Sequence, residues 1–168
     1  MKKFLIMGNG NAVKYTDTFR LIKDNKIWLG AGKEMGGGAI MFQVSDDFYE
    51  EGKGSENKTE GGKNYIGVPM VTWFTNIDHE KRHTPVTLTK EYHPDLYPRY
   101  DNVAAIEVKN ILSIPKDYYD IMGVPITFAS RYNPDQFEIL GCSGLFGIPN
   151  VKLNNKKKYA RLLIRRKL

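Results

Sequence analysis

Short apolar runs cut by polar, glycine and proline positions dominate the pattern of this chain. Phe4-Leu5-Ile6-Met7 is continuous and stops at Gly8-Asn9-Gly10-Asn11, which predicts a buried parallel strand meeting its turn. Tyr15, Phe19 and Ile22 then recur at helical spacing, Asp24-Asn25 closes the helix, and Ile27-Trp28-Leu29 follows. Residues 3–30 therefore predict a βαβ unit, either the last part of a doubly wound sheet or the whole of a very small one. Ala39 to Val44, Val71 to Ile77, Val86 to Thr89, Ala105 to Val108 and Phe137 to Leu140 predict further short strands. Tyr159 to Ile164 is expected to pair with Val151 to Leu153 across an Asn154-Asn155 turn. Prolines 94 and 98 exclude a long helix in their neighbourhood.

Between these runs lie two glycine-rich stretches. Residues 30–38 hold five glycines; residues 45–64 hold four, with six acidic and three basic side chains. Such a composition offers little apolar surface to offset ordering entropy, so both are expected to be loops, the second mobile or ordered by a partner. The expected organisation is a sheet over residues 1–44, a flexible acidic and glycine-rich loop over 45–70, and a strand-rich region over 71–168.

Length and composition add bounds. A chain of 168 residues with 41% hydrophobic and 26% charged residues is expected to be one globular domain, which excludes disordered, collagen-like and coiled-coil classes. The apolar run near the start is too short for a signal-peptide core or a bilayer span, so a cytoplasmic location is expected. The lone Cys142 has no second thiol for a disulfide or a zinc cage.

Charge changes the picture more. The net charge is +6, yet residues 149–168 carry eight basic side chains and no acidic one, leaving 17 basic against 19 acidic residues upstream. A basic terminus of this kind favours a polyanion, because each neutralised phosphate releases condensed counterions, although a solvated edge strand has the same composition.

Three motifs invite chemistry. His79-Glu80-Lys81-Arg82-His83 matches the H-E-x-x-H pattern of zinc hydrolases, which needs a helix to bring both imidazoles to one metal. Pro85 and the extended character on both sides leave room for one turn only, so Lys81 and Arg82 read better as a phosphate-facing turn and no metal set is expected. Gly8 to Asn11 sits where a phosphate-binding turn would sit, with Val13 in place of the third glycine and no P-loop lysine. Asn133-Pro134-Asp135 resembles the Asn/Asp-Pro-Pro-aromatic motif that holds a flipped base in amino-methyltransferases, but Asp135 replaces the second proline, and a turn into a strand is the plainer reading. No catalytic residue stands out.

Longer strings carry a resemblance. Lys3-Phe4-Leu5-Ile6-Met7-Gly8-Asn9, Asn25 to Gly30, Trp73-Phe74-Thr75-Asn76-Ile77-Asp78-His79, Tyr97 to Asn102, Met122 to Phe128, Tyr132 to Gly141 and Lys158 to Lys167 occur in one order over residues 3–167. Together they resemble the EcoRI-type adenine-specific DNA methyltransferases. The resemblance implies a partial doubly wound, Rossmann-like α/β sheet followed by a strand-rich DNA-recognition region, and methyl transfer from S-adenosylmethionine to adenine within a restriction-modification system. It also implies a glycine-bearing cofactor motif and an Asn-Pro-Pro-Phe motif that this chain lacks. The chain thus resembles a C-terminal half, expected to be inactive alone and to bind no cofactor by itself, either a truncated product or a separately encoded half that needs a chain supplying the other. Its partner is expected to be double-stranded DNA, contacted by Lys81, Arg82, Arg131, Asn133, Lys156, Lys157, Lys158, Arg161, Arg165 and Arg166. Arg161 and Arg165 share a strand face by period-two spacing. An incomplete sheet would leave an edge open to self-association. The alternatives are a stand-alone DNA-binding module and a zinc hydrolase using His79 and His83.

Overall fold

The computed structural model describes residues 2–32, 35, 37–49 and 56–168. Parts of both glycine-rich stretches, residues 33, 34, 36 and 50–55, lie outside the described residues, including Glu50-Glu51 and the middle of the segment expected to be mobile.

β1 (Leu5–Asn9) runs into a 3-10 turn at Gly10–Lys14, where the Asn9 side chain accepts the Asn11 N–H at 2.8 Å. α1 (Thr16–Lys23) buries Phe19 and Ile22 on one side and ends at Asn25, whose φ of 57° turns the chain back into β2 (Trp28–Leu29). β3 (Ile40–Val44), β4 (Lys58–Glu60) and β5 (Lys63–Val68) form an antiparallel sheet in the order β3-β5-β4. Residues 58–68, read as loop from the sequence, are thus a hairpin. Gly61 and Gly62 take φ of 58° and 70° at its turn, so these glycines mark a tight reversal within a sheet.

β6 (Val71–Thr75) lies between β1 and β2 and is antiparallel to both, with Leu5 opposite Thr75 and Leu29 opposite Phe74. β1 and β2 are therefore parallel to each other but do not touch, which is the form the expected βαβ unit takes. A Rossmann-like doubly wound sheet is not present among the described residues; the molecule is a strand-rich α/β fold with one short α-helix. Nor is β1 a buried strand: Leu5, Ile6 and Met7 are 55%, 57% and 46% exposed at the sheet edge. A continuous apolar run cannot distinguish a covered strand from one whose cover lies elsewhere.

β7 (Ile106–Glu107), β8 (Met122–Pro125), β9 (Phe137–Cys142) and β12 (Arg161–Arg166) build a second sheet in the order β7-β8-β12-β9. Its β7-β8 pair is parallel. β10 (Lys152–Leu153) and β11 (Lys156–Lys157) form a separate hairpin. The Asn154-Asn155 turn appears as expected, but it joins β10 to β11, while β12 pairs with β8 and β9 instead of with 151–153. Residues 86–89 form no strand; Val86 is held instead by the Gln136 amide, which bonds both its N–H and its carbonyl.

Both faces of the second sheet are covered. Ile106, Met122, Ile164 and Ile139 face the main core with Phe128 and Phe137, whose rings meet edge-on at 5.2 Å. On the opposite face Leu163 meets Tyr100, Ala105 and Val151. Glycine makes this second cover possible: Tyr100 lies over Gly123, where a Cβ would strike its ring. No helix of the described residues is long and apolar enough to cross a membrane.

Candidate nucleic-acid interface

Lys156, Lys157 and Lys158 are displayed by a hairpin that the rest of the chain holds rigid. Asn154 and Asn155 both adopt positive φ, 51° and 59°, the paired left-handed geometry of a tight two-residue turn. The Asp101 carboxylate accepts the N–H groups of Asn154 at 3.2 Å and Asn155 at 2.7 Å. Asn102 receives the Lys152 N–H and donates to the Asn150 carbonyl, each at 2.9 Å. A turn at 101–102 thereby straps the hairpin through side-chain and backbone bonds together.

Beside the hairpin lies an open cleft of about 620 Å³ lined by Lys14, Ser143, Asn150, Lys157, Lys158 and Tyr159. Tyr159 is 89% exposed. Three ammonium groups around a polar cleft, with a bare aromatic ring among them, combine phosphate neutralisation with a stacking surface. Lys14 and Tyr159 were not singled out from the sequence. Lys14 lies far from the basic terminus along the chain, and an aromatic within a strand-like run reads as core until its exposure is known.

The arginines of β12 occupy different settings. Arg161 is 11% exposed and forks onto Glu107, itself 2% exposed, with N–O distances of 2.7 and 3.2 Å. The Tyr100 hydroxyl donates to the same carboxylate. Arg161 is thus a core ion pair facing inward. Arg165 sits on the same strand face and is half exposed, paired with Glu138 at 2.8 Å. Arg166 stacks on Tyr119, 4.6 Å from the ring centre, and donates to the Lys116 carbonyl.

Elsewhere, Lys81 and Arg131 line one cleft together, and the Lys81 ammonium reaches the Gly32 carbonyl at 3.2 Å. Arg82 is buried, its guanidinium 3.8 Å over the Trp28 ring and bonded to the Asn25 side chain. Asn133 is also buried: its amide donates to the His83 carbonyl at 3.0 Å and its oxygen accepts the Asp135 N–H at 2.8 Å. Both ends of that amide are committed to shaping a turn, and Phe137 beside it is wholly enclosed. The segment resembling a base-holding motif therefore points inward.

The H-E-x-x-H segment forms a 3-10 turn, not a helix. His79 Nε2 lies 2.9 Å from the Leu29 carbonyl, whereas His83 Nε2 lies 2.8 Å from Asp78, and that hydrogen bond holds the Asp78 carboxyl below its usual range. Among the described residues no group of three or more His, Cys, Asp or Glu side chains could hold a metal. In the turn after β1, Gly10 donates to the Met70 carbonyl at 2.6 Å and packs so closely under Met35 that a Cβ at this position would strike its side chain.

Comparison with known proteins completes the description. The family described as adenine-specific methyltransferase EcoRI matches residues 1–167. Type II methyltransferase M.EcoRI of Escherichia coli is 40% identical over 169 residues, covering 99% of this chain and 51% of that protein. Type II methyltransferase M.MpnI of Mycoplasma pneumoniae is 33% identical over 144 residues, 84% of this chain and 44% of its own length. M.MgeORF184P of Mycoplasma genitalium is 32% identical over 185 residues, 98% of this chain and 57% of its own length. The chain thus spans about half the length of the curated relatives it matches. No solved structure matches it significantly.

Proposed function

The chain belongs to the adenine-specific methyltransferase EcoRI family, and from that premise we propose that it is the DNA-recognising portion of such an enzyme, inactive in methyl transfer by itself. The observation that carries this reading is the lysine hairpin strapped to the 101–102 turn. Its ammonium groups neutralise backbone phosphates, and Tyr159 gives an unstacked base or a sugar a flat surface. Arg165, Arg131 and Lys81 extend the contact, while Arg82, Arg161 and Asn133 act indirectly, by fixing the surfaces between them.

S-adenosylmethionine is the methyl donor implied for the complete enzyme. The closed turn at Gly10 and the inward-facing Asn133 supply neither a donor pocket nor a base clamp, so both belong to a second portion of the enzyme. That portion would meet this one along β1, where Leu5, Ile6 and Met7 stand exposed at an unpaired sheet edge.

Duplex-DNA affinity measured against salt tests the reading. Replacing Lys156, Lys157 and Lys158 by Gln is expected to reduce the magnitude of the log–log salt slope by about 2.7, equally on unrelated sequences. An unchanged slope removes the hairpin from the interface. Methyl incorporation into DNA by this chain alone would overturn the claim of inactivity.

A further inference from the structure

Three clefts linked by shared lining residues form one groove that shares no lining residue with the cleft beside the lysine hairpin. The first holds Lys81, Val86, Leu112 and Arg131; the second shares Leu112 and Arg131 with it and adds Lys109; the third shares Lys109 with the second and adds Lys90 and Leu96. Their volumes are about 260, 320 and 260 Å³. Four cations are thus spread over three linked clefts, and no one cleft holds them all. The acid that lines the groove, Glu107, is buried and neutralised by Arg161.

The walls are fixed. Tyr97 donates to the Ser113 carbonyl at 2.8 Å, Ser113 to Asn110 at 3.0 Å, and the Lys90 carbonyl accepts the Lys116 N–H at 2.8 Å. Lys90 and Lys109 are exposed, and neither enters an ion pair among the described residues. Leu96 and Leu112, 66% and 65% exposed, line the same clefts as the cations. Ammonium and guanidinium groups spread over linked clefts together with exposed apolar side chains suit the successive phosphates and deoxyriboses of a DNA strand. A small phosphate ligand would call for convergent donors.

We propose that this groove is a second contact line for the backbone of duplex DNA, independent of the hairpin and carried by Lys90, Lys109, Arg131 and Lys81. It rests on the reading of the chain as DNA-binding. Lys90 and Lys109 were not candidates from the sequence, since each is a lone lysine outside the basic terminus.

The test uses the full chain and a duplex oligonucleotide titrated at several salt concentrations. A Lys90→Gln/Lys109→Gln variant is expected to lose about 1.8 from the salt slope, so that its affinity falls about tenfold less than that of the parent over a fourfold rise in salt. Lys90→Arg/Lys109→Arg is expected to keep the parental slope, which separates charge from packing. If the Gln variant keeps the parental slope while the hairpin variant loses its share, the groove is overturned and the hairpin reading stands. If the parent chain shows no salt-dependent binding, the DNA reading itself falls and takes the groove with it.

Discussion

The β7-β8-β12-β9 sheet and the β1-β6-β2 sheet are built from similarly apolar strands and finish very differently. In the first, consecutive residues Leu162, Leu163 and Ile164 are all buried, because each face has its own cover. In the second, consecutive residues Leu5, Ile6 and Met7 are all exposed, and β1 is an edge strand paired with β6 on one side only. Apolar composition therefore states a demand for burial, and topology decides whether this chain meets it. The first sheet is covered on both faces, and the second leaves its β1 edge exposed among the described residues.

The largest expected effect falls at the buried ion pair of the covered sheet. Glu107→Ala removes the acceptor shared by Arg161 and Tyr100 and leaves a buried guanidinium unpaired, a change expected to cost about 3–5 kcal/mol. Urea unfolding measures it, and a loss below about 1 kcal/mol would mean that the sheet is looser than its burial indicates.

Alkaline pH should act on the same sheet. Burial pushes the Cys142 thiol up from 9.0 to about 11, and burial followed by the Glu107 hydrogen bond raises Tyr100. The folded chain then keeps protons that the unfolded chain releases. The stability linked to Cys142 is whole below about pH 9 and is lost as pH rises toward 11, roughly 2–3 kcal/mol in all. Cys142→Ser should flatten that part of the profile, and an unaltered profile would remove the thiol from the account.

The smallest effects separate the sheets most sharply. Gly123→Ala drives a methyl group into Tyr100 and is expected to destabilise by about 1–3 kcal/mol. At Gly8, on β1, an added Cβ finds the Phe74 ring at 3.4 Å, an ordinary contact. Gly8→Ala should stay within about 0.5 kcal/mol of the parent. Thermal unfolding of the pair checks this, and equal costs would erase the distinction between a covered face and an open one.

Local pattern located much of this architecture. β1, α1, β2, β3, β6 and β9 fall where apolar spacing and turn residues place them, as does the Asn154-Asn155 reversal. Partnership was less visible. That β6 inserts between β1 and β2, and that β12 joins β8 and β9, depends on contacts between distant segments that no local period encodes. The basic residues divide in the same way. Lys156, Lys157 and Lys158 form a run whose exposure follows from its turn, whereas the burial of Arg161 depends on Glu107, 54 positions away. Arg82 is likewise drawn inward by Trp28 and Asn25.

The strand order of the β1-β6-β2 sheet also sets a timetable for folding. Thr75 of β6 donates to the Phe4 carbonyl across 71 positions, so β1 has no partner within this chain until the intervening β3-β5-β4 sheet has been traversed. Closing so long a loop carries more entropy than closing the Gly61-Gly62 or Asn154-Asn155 turns, which form early from neighbouring residues. β1 is therefore made well before its partner β6 and is among the last of these strands to be satisfied, and in the interval Phe4 to Met7 is an apolar run that synthesis rate and chaperones must keep out of trouble.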